Sequence, residues 1–363
     1  MYKILYPYKD ASIYEKYPDR NAGIDQIIEI TKLAAGEEAP DVISELSTWD
    51  NTYNSRILMQ FDLTGLNYTS SIAAYLILKA TETSALPIEY TLHSKPLSES
   101  WINGNGNLND SPEVTNGVSW EYRTSAFASS SWNPNSGSMV YSMVSGGGTW
   151  NDNYIASQSF MYQSPDVRMD VTNIVRAWLS GSISNNGFVI KHTDANELNN
   201  EIFGSLKFFS KDTHTIYIPR LEILWDESSY TGSFVSNDLI GDEYTIFLKN
   251  LKESYKESES FKLRFGARDK YPIKTYATSS NVIIEKRLPA TTYYSIVDEV
   301  TNEAIVPFDT SYTKISMDDD GHYFKLDLTN FLPERYYRIL FKIENNGDSI
   351  IYDNKFNFRV TRR

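Results

Sequence analysis

Apolar residues in this chain arrive in short runs, and nearly every run is closed by Asn, Gly, Ser or Asp. "QIIEITKL" (26–33), "SRILMQFDL" (55–63), "AAYLILKA" (73–80) and "IEYTLHSKPL" (88–97) come first. "QSFMYQ" (158–163), "GFVIKHT" (187–193), "SLKFFSKD" (205–212) and "RLEILWD" (220–226) follow. Several alternate with the period of two that turns one face of a strand to a core and the other to water. None approaches the roughly 20 apolar residues that a membrane-spanning helix needs. The 26 Tyr, 17 Phe and 7 Trp are side chains that pleated surfaces favour. Many short strands with such turns predict an all-β chain that begins with a β-sandwich of jelly-roll type.

One segment breaks the rhythm. "DVTNIVRAWLSG" (170–181) sets Ile174, Val175, Trp178 and Leu179 on one face at helical spacing. It predicts a short helix over 172–180 that closes one end of the sandwich, capped by Thr172 or Asn173 and stopped by Gly181. After Trp225 the chain turns polar in "DESSYTGSFVSND", which places a domain boundary near residue 228. Strand-like runs then resume: "EYTIFLKNL", "SFKLRFGARD", "NVIIEKRL", "TYYSIVDEV", "YFKLDLTNF", "RYYRILFKIE" and "KFNFRV". The last two flank "NNGDS", a hairpin signal. Residues 1–228 are thus expected to form the first domain. Residues 229–363 are expected to form an immunoglobulin- or fibronectin-like sandwich. No repeat of fixed period links the halves.

Charge and composition narrow the function classes. With 34 Lys and Arg against 47 Asp and Glu, the net charge of −13 disfavours unassisted binding to a phosphate backbone. No nucleic-acid or membrane partner is expected. The chain has no Cys, so disulfides, thiol nucleophiles and cysteine metal sites are excluded, and a reducing site of synthesis fits. The start "MYKILYPYKD" lacks the apolar stretch of a signal peptide, so an unprocessed chain is expected.

The loop "ESWINGNGNLNDSPEVTNGVSWEYR" (99–123) is the main candidate for a site. Trp101, Trp120 and Tyr122 could stack on sugar rings, or could pin a long Asn- and Gly-rich loop to the sandwich, and the second reading is preferred. "NGNGNLND" and "MDDDG" offer oxygens of the kind calcium takes, without EF-hand spacing. Asp318 to Gly321 reads as a hairpin turn. No cofactor is expected, with a structural calcium in the first domain left unassigned. His93, His192, His214 and His322 lie in separate segments without metal-ligand spacing. No nucleophile elbow, phosphate loop or His-Glu-x-x-His is present, and "SGGGTW" lacks the Lys that would make it a P-loop. Carboxylates are abundant, yet they fall mostly in polar loops and on outer strand faces. The chain is expected not to be an enzyme.

Five stretches in shared order carry a resemblance: "DASIYEKYPDRNAGIDQIIEI", "SRILMQFDLTGL", the tryptophan loop, "MDVTNIVRAWLSGSISNNGFVI" and the closing "RLEILW". Together they resemble the DNRLRE family of jelly-roll domains, over most of the first 226 residues. Such domains often accompany carbohydrate-active enzymes and cell-surface proteins. The second part, especially "TNEAIVPFDTSYTKISMDDDGHYFKLDLTNFLPERYYRILFKI", looks like the C-terminal region of virion proteins of large tailed bacteriophages. The resemblance implies a structural virion protein, assembled in the host cytoplasm, in a head-decoration, neck or collar, tail or fibre position. It would dock on other virion proteins and on copies of itself. The alternative partner is a cell-surface glycan, bound as a carbohydrate-binding module would bind it.

Overall fold

The computed structural model describes residues 1–34, 52–66, 72–125, 130–133, 146–162, 164–230, 244–271, 285–329, 331–345 and 348–362. The chain is all-β, and its contacts divide it into two compact units. Leu5–Glu222 forms one, and Met1–Ile4 with Ile223–Arg363 forms the other.

Strand β1 (Tyr2–Leu5) opens the chain. The unit Leu5–Glu222 then holds β2 (Pro7–Tyr14), β3 (Ile27–Ala34), β4 (Thr52–Phe61), β5 (Ala73–Leu78), β6 (Ala80–Ser84) and β7 (Glu89–Pro96). After the tryptophan loop come β8 (Ala156–Met161), β9 (Val167–Asp170), helix α1 (Thr172–Leu179), β10 (Phe188–His192), helix α2 (Asp194–Leu198) and β11 (Gly204–Phe209), and β12 (Arg220–Leu224) runs across the division after Glu222. An eight-stranded sheet runs β6-β11-β3-β4-β10-β7-β8, with β2 also paired to β4. β5 pairs antiparallel with β9 in a smaller sheet.

β4 and β10 explain why their sequences read as continuous apolar runs. From Ser55 to Phe61, and throughout β10, every residue is buried. The register sets Ile57 against Ile190 and Met59 against Phe188, so these residues share one face. Leu58 opposite Val189 marks the other face, which Lys191, His93 and Lys95 share through the β7 register. A sheet covered on both faces loses the alternation of polar and apolar residues.

Helix α1 covers the first of these faces. Ile174, Val175, Ala177 and Trp178 are buried, while Leu179 is only half-buried. The Trp178 ring lies 4.5 Å from the Phe188 ring, which meets Phe61 edge-on at 6.2 Å. The cap differs from the expectation of Thr172 or Asn173. Val171 occupies that position without a side-chain bond. The Thr172 hydroxyl is held at β5, where it accepts the Ala74 N–H at 2.9 Å, and Asp170 accepts the Thr172 N–H. The helix stops at Gly181, which adopts φ +73° and donates its N–H to the Trp178 carbonyl.

The second unit contains β13 (Tyr244–Leu248), β14 (Ser254–Lys256), β15 (Ser260–Asp269), β16 (Thr292–Asp298), β17 (Ala304–Val306), β18 (Ser316–Asp318), β19 (Gly321–Asp327), β20 (Arg335–Asn345) and β21 (Asp348–Thr361). One sheet runs β13-β15-β19-β18 and the other β14-β21-β20-β16-β17. Aromatic rings join them: Phe265 of β15 lies 4.7 Å from Phe341 of β20, and Phe324 of β19 stacks at 4.1 Å on Tyr294 of β16. β20 and β21 form the hairpin expected around "NNGDS", paired from Asn345 and Asp348 outward. The "NVIIEKRL" run lies partly outside the described residues, and its described end makes a bridge from Lys286 to Ala267.

Replacing Trp178 with Ala should destabilise the unit Leu5–Glu222 by about 3–5 kcal/mol, the usual result of emptying a buried aromatic site. Urea unfolding followed by circular dichroism measures it. A loss under about 1 kcal/mol would mean that the ring does not support the core.

Candidate functional site

The tryptophan loop lies on the second face of the eight-stranded sheet. Ala11, Ile13, Leu58, Leu97 and Val189 of the strand side form one buried cluster with Val118, Trp101, Trp120, Trp132 and Trp150. Trp101 is 1% exposed and Trp120 is fully buried, so neither ring offers a face to a sugar. Tyr122, the third sequence candidate, is half-buried and makes a bridge with Ser131. The indole N–H groups are placed as well: Trp101 donates to the Asn186 carbonyl at 2.9 Å and Trp132 to the Ser119 carbonyl at 3.1 Å.

A polar loop on an apolar face must pair its backbone groups, because water no longer reaches them. Asn21 does much of this. Its amide donates to the carbonyls of Asn103 and Val118, both at 2.8 Å, and its oxygen accepts the N–H of Gly106 at 2.9 Å and of Gly23 at 3.3 Å. The Asn103 side chain ties the loop back to β2 by accepting the Asp10 N–H at 2.9 Å. Gly104 has φ +80°, and a Cβ there would meet the Asn21 oxygen at 2.3 Å, so the loop glycine is required by this close approach.

Beside the loop sits the densest charge cluster among the described residues. Arg56 of β4, Lys95 of β7 and Lys191 of β10 point to the same sheet face and are all buried. Arg56 grips Glu197 of α2 through two bonds, at 2.7 and 3.0 Å, and donates a third to the Gly147 carbonyl at 2.6 Å. Lys191 reaches Glu197 at 2.6 Å and Asp194 at 2.8 Å. Lys95 reaches Asp194 at 2.9 Å and Asp152 at 2.8 Å. The Trp150 ring lies under all three cations, 5.0 Å from Arg56 and 5.3 Å from each lysine, and its N–H donates to Asp152. Three cations thus face three carboxylates.

Electrostatics fix the charge state of this knot. Burial works to raise the Glu197 carboxyl, but Arg56 and Lys191 overcome it and hold it at about 2. Asp194 is likewise held at about 2, burial being outweighed by Lys191 and Lys95. Neither carboxylate carries a proton to give at neutral pH, so neither can serve as a general acid. The glycines of "SGGGTW" belong to the same cluster: Gly147 has φ +82°, and a Cβ on it would lie 2.2 Å from the Arg56 guanidinium. α2 itself is too short to be seen as a helix in the sequence. Thr193 caps it by accepting the Asn196 N–H.

The remaining candidates are dispersed. His93 and His192 lie on neighbouring strands but on opposite faces, since His93 sits opposite Lys191. Burial lowers His192 to about 4, and His322 is lowered to about 4 by burial while accepting the Leu288 N–H at 2.9 Å. His214 is exposed. Asp10 is raised to about 7 by burial, and its carboxylate accepts the Lys211 N–H. Burial raises Asp25 to about 6. Asp318 turns the β18–β19 hairpin and binds Arg264 through both oxygens, at 2.7 and 2.9 Å. Among the described residues, no three His, Asp or Glu are grouped to hold a metal ion.

No family model matches the chain, and no curated protein matches it. Solved structures of Parabacteroides merdae β-glucuronidase are similar to 96% of this chain, one at 9% identity with a TM-score of 0.17. Another, with glycerol in its active site, gives 10% identity and a TM-score of 0.19 over 96% of the chain. The chain spans 36% and 35% of the length of those enzymes. Likenesses this weak carry no argument about fold or activity.

Two outcomes test the knot. Glu197→Gln should destabilise the unit by about 3–5 kcal/mol, because it leaves Arg56 and Lys191 buried without their shared carboxylate. The folded pKa lies below the ordinary 4.5, so the contribution is complete above about pH 5 and fades as pH falls towards 2. Acid unfolding of the wild type should show this loss between about pH 5 and 2, and the Gln variant should show less of it. Equal acid sensitivity in both proteins would remove Glu197 from the account.

Proposed function

We propose that this chain is a non-enzymatic structural protein of a tailed-phage virion that works by docking against other virion subunits and against copies of itself. In this reading residues 1–228 are a DNRLRE-like jelly roll, and residues 229–363 are an immunoglobulin-like sandwich. Antiparallel pairing of most strands in both units supports the architecture. The order of sequence stretches supports the family, and the phage setting rests on the resemblance of the second part.

One observation carries the non-catalytic part of the reading. The chemistry-bearing side chains that the fold gathers, Arg56, Lys95, Lys191, Asp152, Asp194 and Glu197, are paired with one another and serve to hold a loop. The glycan-binding alternative loses its expected platform, because Trp101 and Trp120 face the core. Sheet edges and polar loops then remain for partners, through strand addition or side-chain packing. A stable contact of that kind buries at least about 1,000 Å² in total.

Antibody raised against the purified chain should decorate intact phage particles at regular positions in negative stain. Particles free of label, or a purified chain that degrades a polysaccharide with turnover, would overturn the proposal.

A further inference from the structure

Lys32, Lys95 and Lys191 are the fully buried lysines among the described residues. Lys95 and Lys191 are neutralised by Asp152, Asp194 and Glu197. Lys32 pairs with no carboxylate among the described residues. Its Nζ donates instead to the carbonyls of Asn196 and Asn199 and, at 2.7 Å, to the side-chain Oδ1 of Asn199. A lysine is almost never this buried without an opposite charge, so the contact calls for an explanation.

Both partners are held in place. The core face of β3 runs Ile28, Ile30, Lys32, so the alternation of the strand carries the lysine inward. The Phe203 ring lies 5.6 Å from Nζ, and the buried His192 ring packs on Phe203 at 5.2 Å. Burial lowers Lys32 to about 8, although Glu197, Glu201 and Glu15 pull the other way. A share of the amine is therefore neutral at neutral pH, and a neutral amine is a nucleophile. Asn199 ends α2, where its N–H donates to the Ala195 carbonyl at 3.2 Å. Glu201 grips both ends of the Asn199 carboxamide: its N–H donates to Oδ1 at 3.1 Å, and its carboxylate accepts from Nδ2 at 3.2 Å. With a C–O bond of about 1.2 Å, Nζ stands within about 4 Å of Cγ.

We propose that Lys32 and Asn199 join in an intramolecular isopeptide bond between Nζ and Cγ. The neutral amine attacks Cγ, and the charge that develops on Oδ1 is met by the Glu201 N–H. The Cγ–Nδ2 bond then breaks. The departing nitrogen leaves as ammonia with the proton that Nζ sheds, while the Glu201 carboxylate holds it. Nothing is oxidised or reduced, and no co-reactant is needed. Amines attack amides slowly in water, and fixed juxtaposition is what makes such a step accessible. The product is a neutral amide, so the buried charge disappears. The bond ties together residues 167 apart in sequence and constrains the unfolded chain accordingly. It also fixes the end of α2, the helix that carries Glu197 to Arg56. This linkage is independent of the virion reading.

Electrospray mass measurement of the folded, purified full chain tests the proposal. The mass should lie one ammonia below the sum of its residues. Trypsin should leave a branched peptide that joins the segments around Lys32 and Asn199, uncut after Lys32. Lys32→Met and Asn199→Ala should each restore the full mass. A wild-type chain at its full residue mass would overturn the assignment, whether or not either variant folds. So would an ammonia loss that persists in Lys32→Met, or one that maps to an Asn-Gly step such as Asn103 and Gly104.

Discussion

Arg56 sits beneath the polar loop and is held from two directions, by the Glu197 carboxylate and by the Gly147 carbonyl. A guanidinium buried under apolar surface is unfavourable unless its donors are paired. That requirement reaches far along the sequence. It recruits α2 as the carrier of Glu197, and it demands a glycine at 147, where a Cβ would collide with the guanidinium. It also brings Trp120 and Trp150 against Arg56, at 4.5 and 5.0 Å from their ring centres. The loop, the short helix and the sheet are therefore parts of one solution.

The same logic divides the polar loop into two anchorages. Near Arg56 the attachment is ionic, with Lys95 and Lys191 neutralising Asp152 and Asp194. Around Asn21 it is neutral, with one carboxamide pairing four backbone groups. Between them the tryptophans supply apolar area. A segment rich in Asn, Gly and Ser has little to bury by itself, so it borrows order from these few side chains.

Much of this was legible in the sequence and some was not. The runs around β4 and β10 stood out because apolar residues cluster there, and those around β7 and β11 because apolar residues recur between polar ones. α1 stood out because Ile174, Val175 and Trp178 keep helical spacing. Its cap did not, because the Thr172 hydroxyl bonds to Ala74 of a distant strand instead of capping the helix. β6 was hidden by its polar, exposed face, and α2 by its five residues. The knot was invisible, since Arg56, Lys95, Lys191 and Glu197 come together only through strand register. Nothing local in "DRNAGID" marks Asn21, whose four partners lie in other segments or two residues on. A buried Lys at the end of an apolar run, such as Lys191 in "GFVIKHT", was the one local hint of a partnered charge.

The central claim is that a loop polar in composition is an ordered layer of the core. Hydrogen–deuterium exchange read at single amides tests it most directly. The N–H groups of Gly106, Val118 and Gly147 donate to Asn21 Oδ1, the Ile102 carbonyl and the Trp120 carbonyl. They should exchange slowly, with protection approaching that of the β4 amides, because opening them breaks into the sheet face. Exchange of these three at open-loop rates while β4 stays protected would contradict the account.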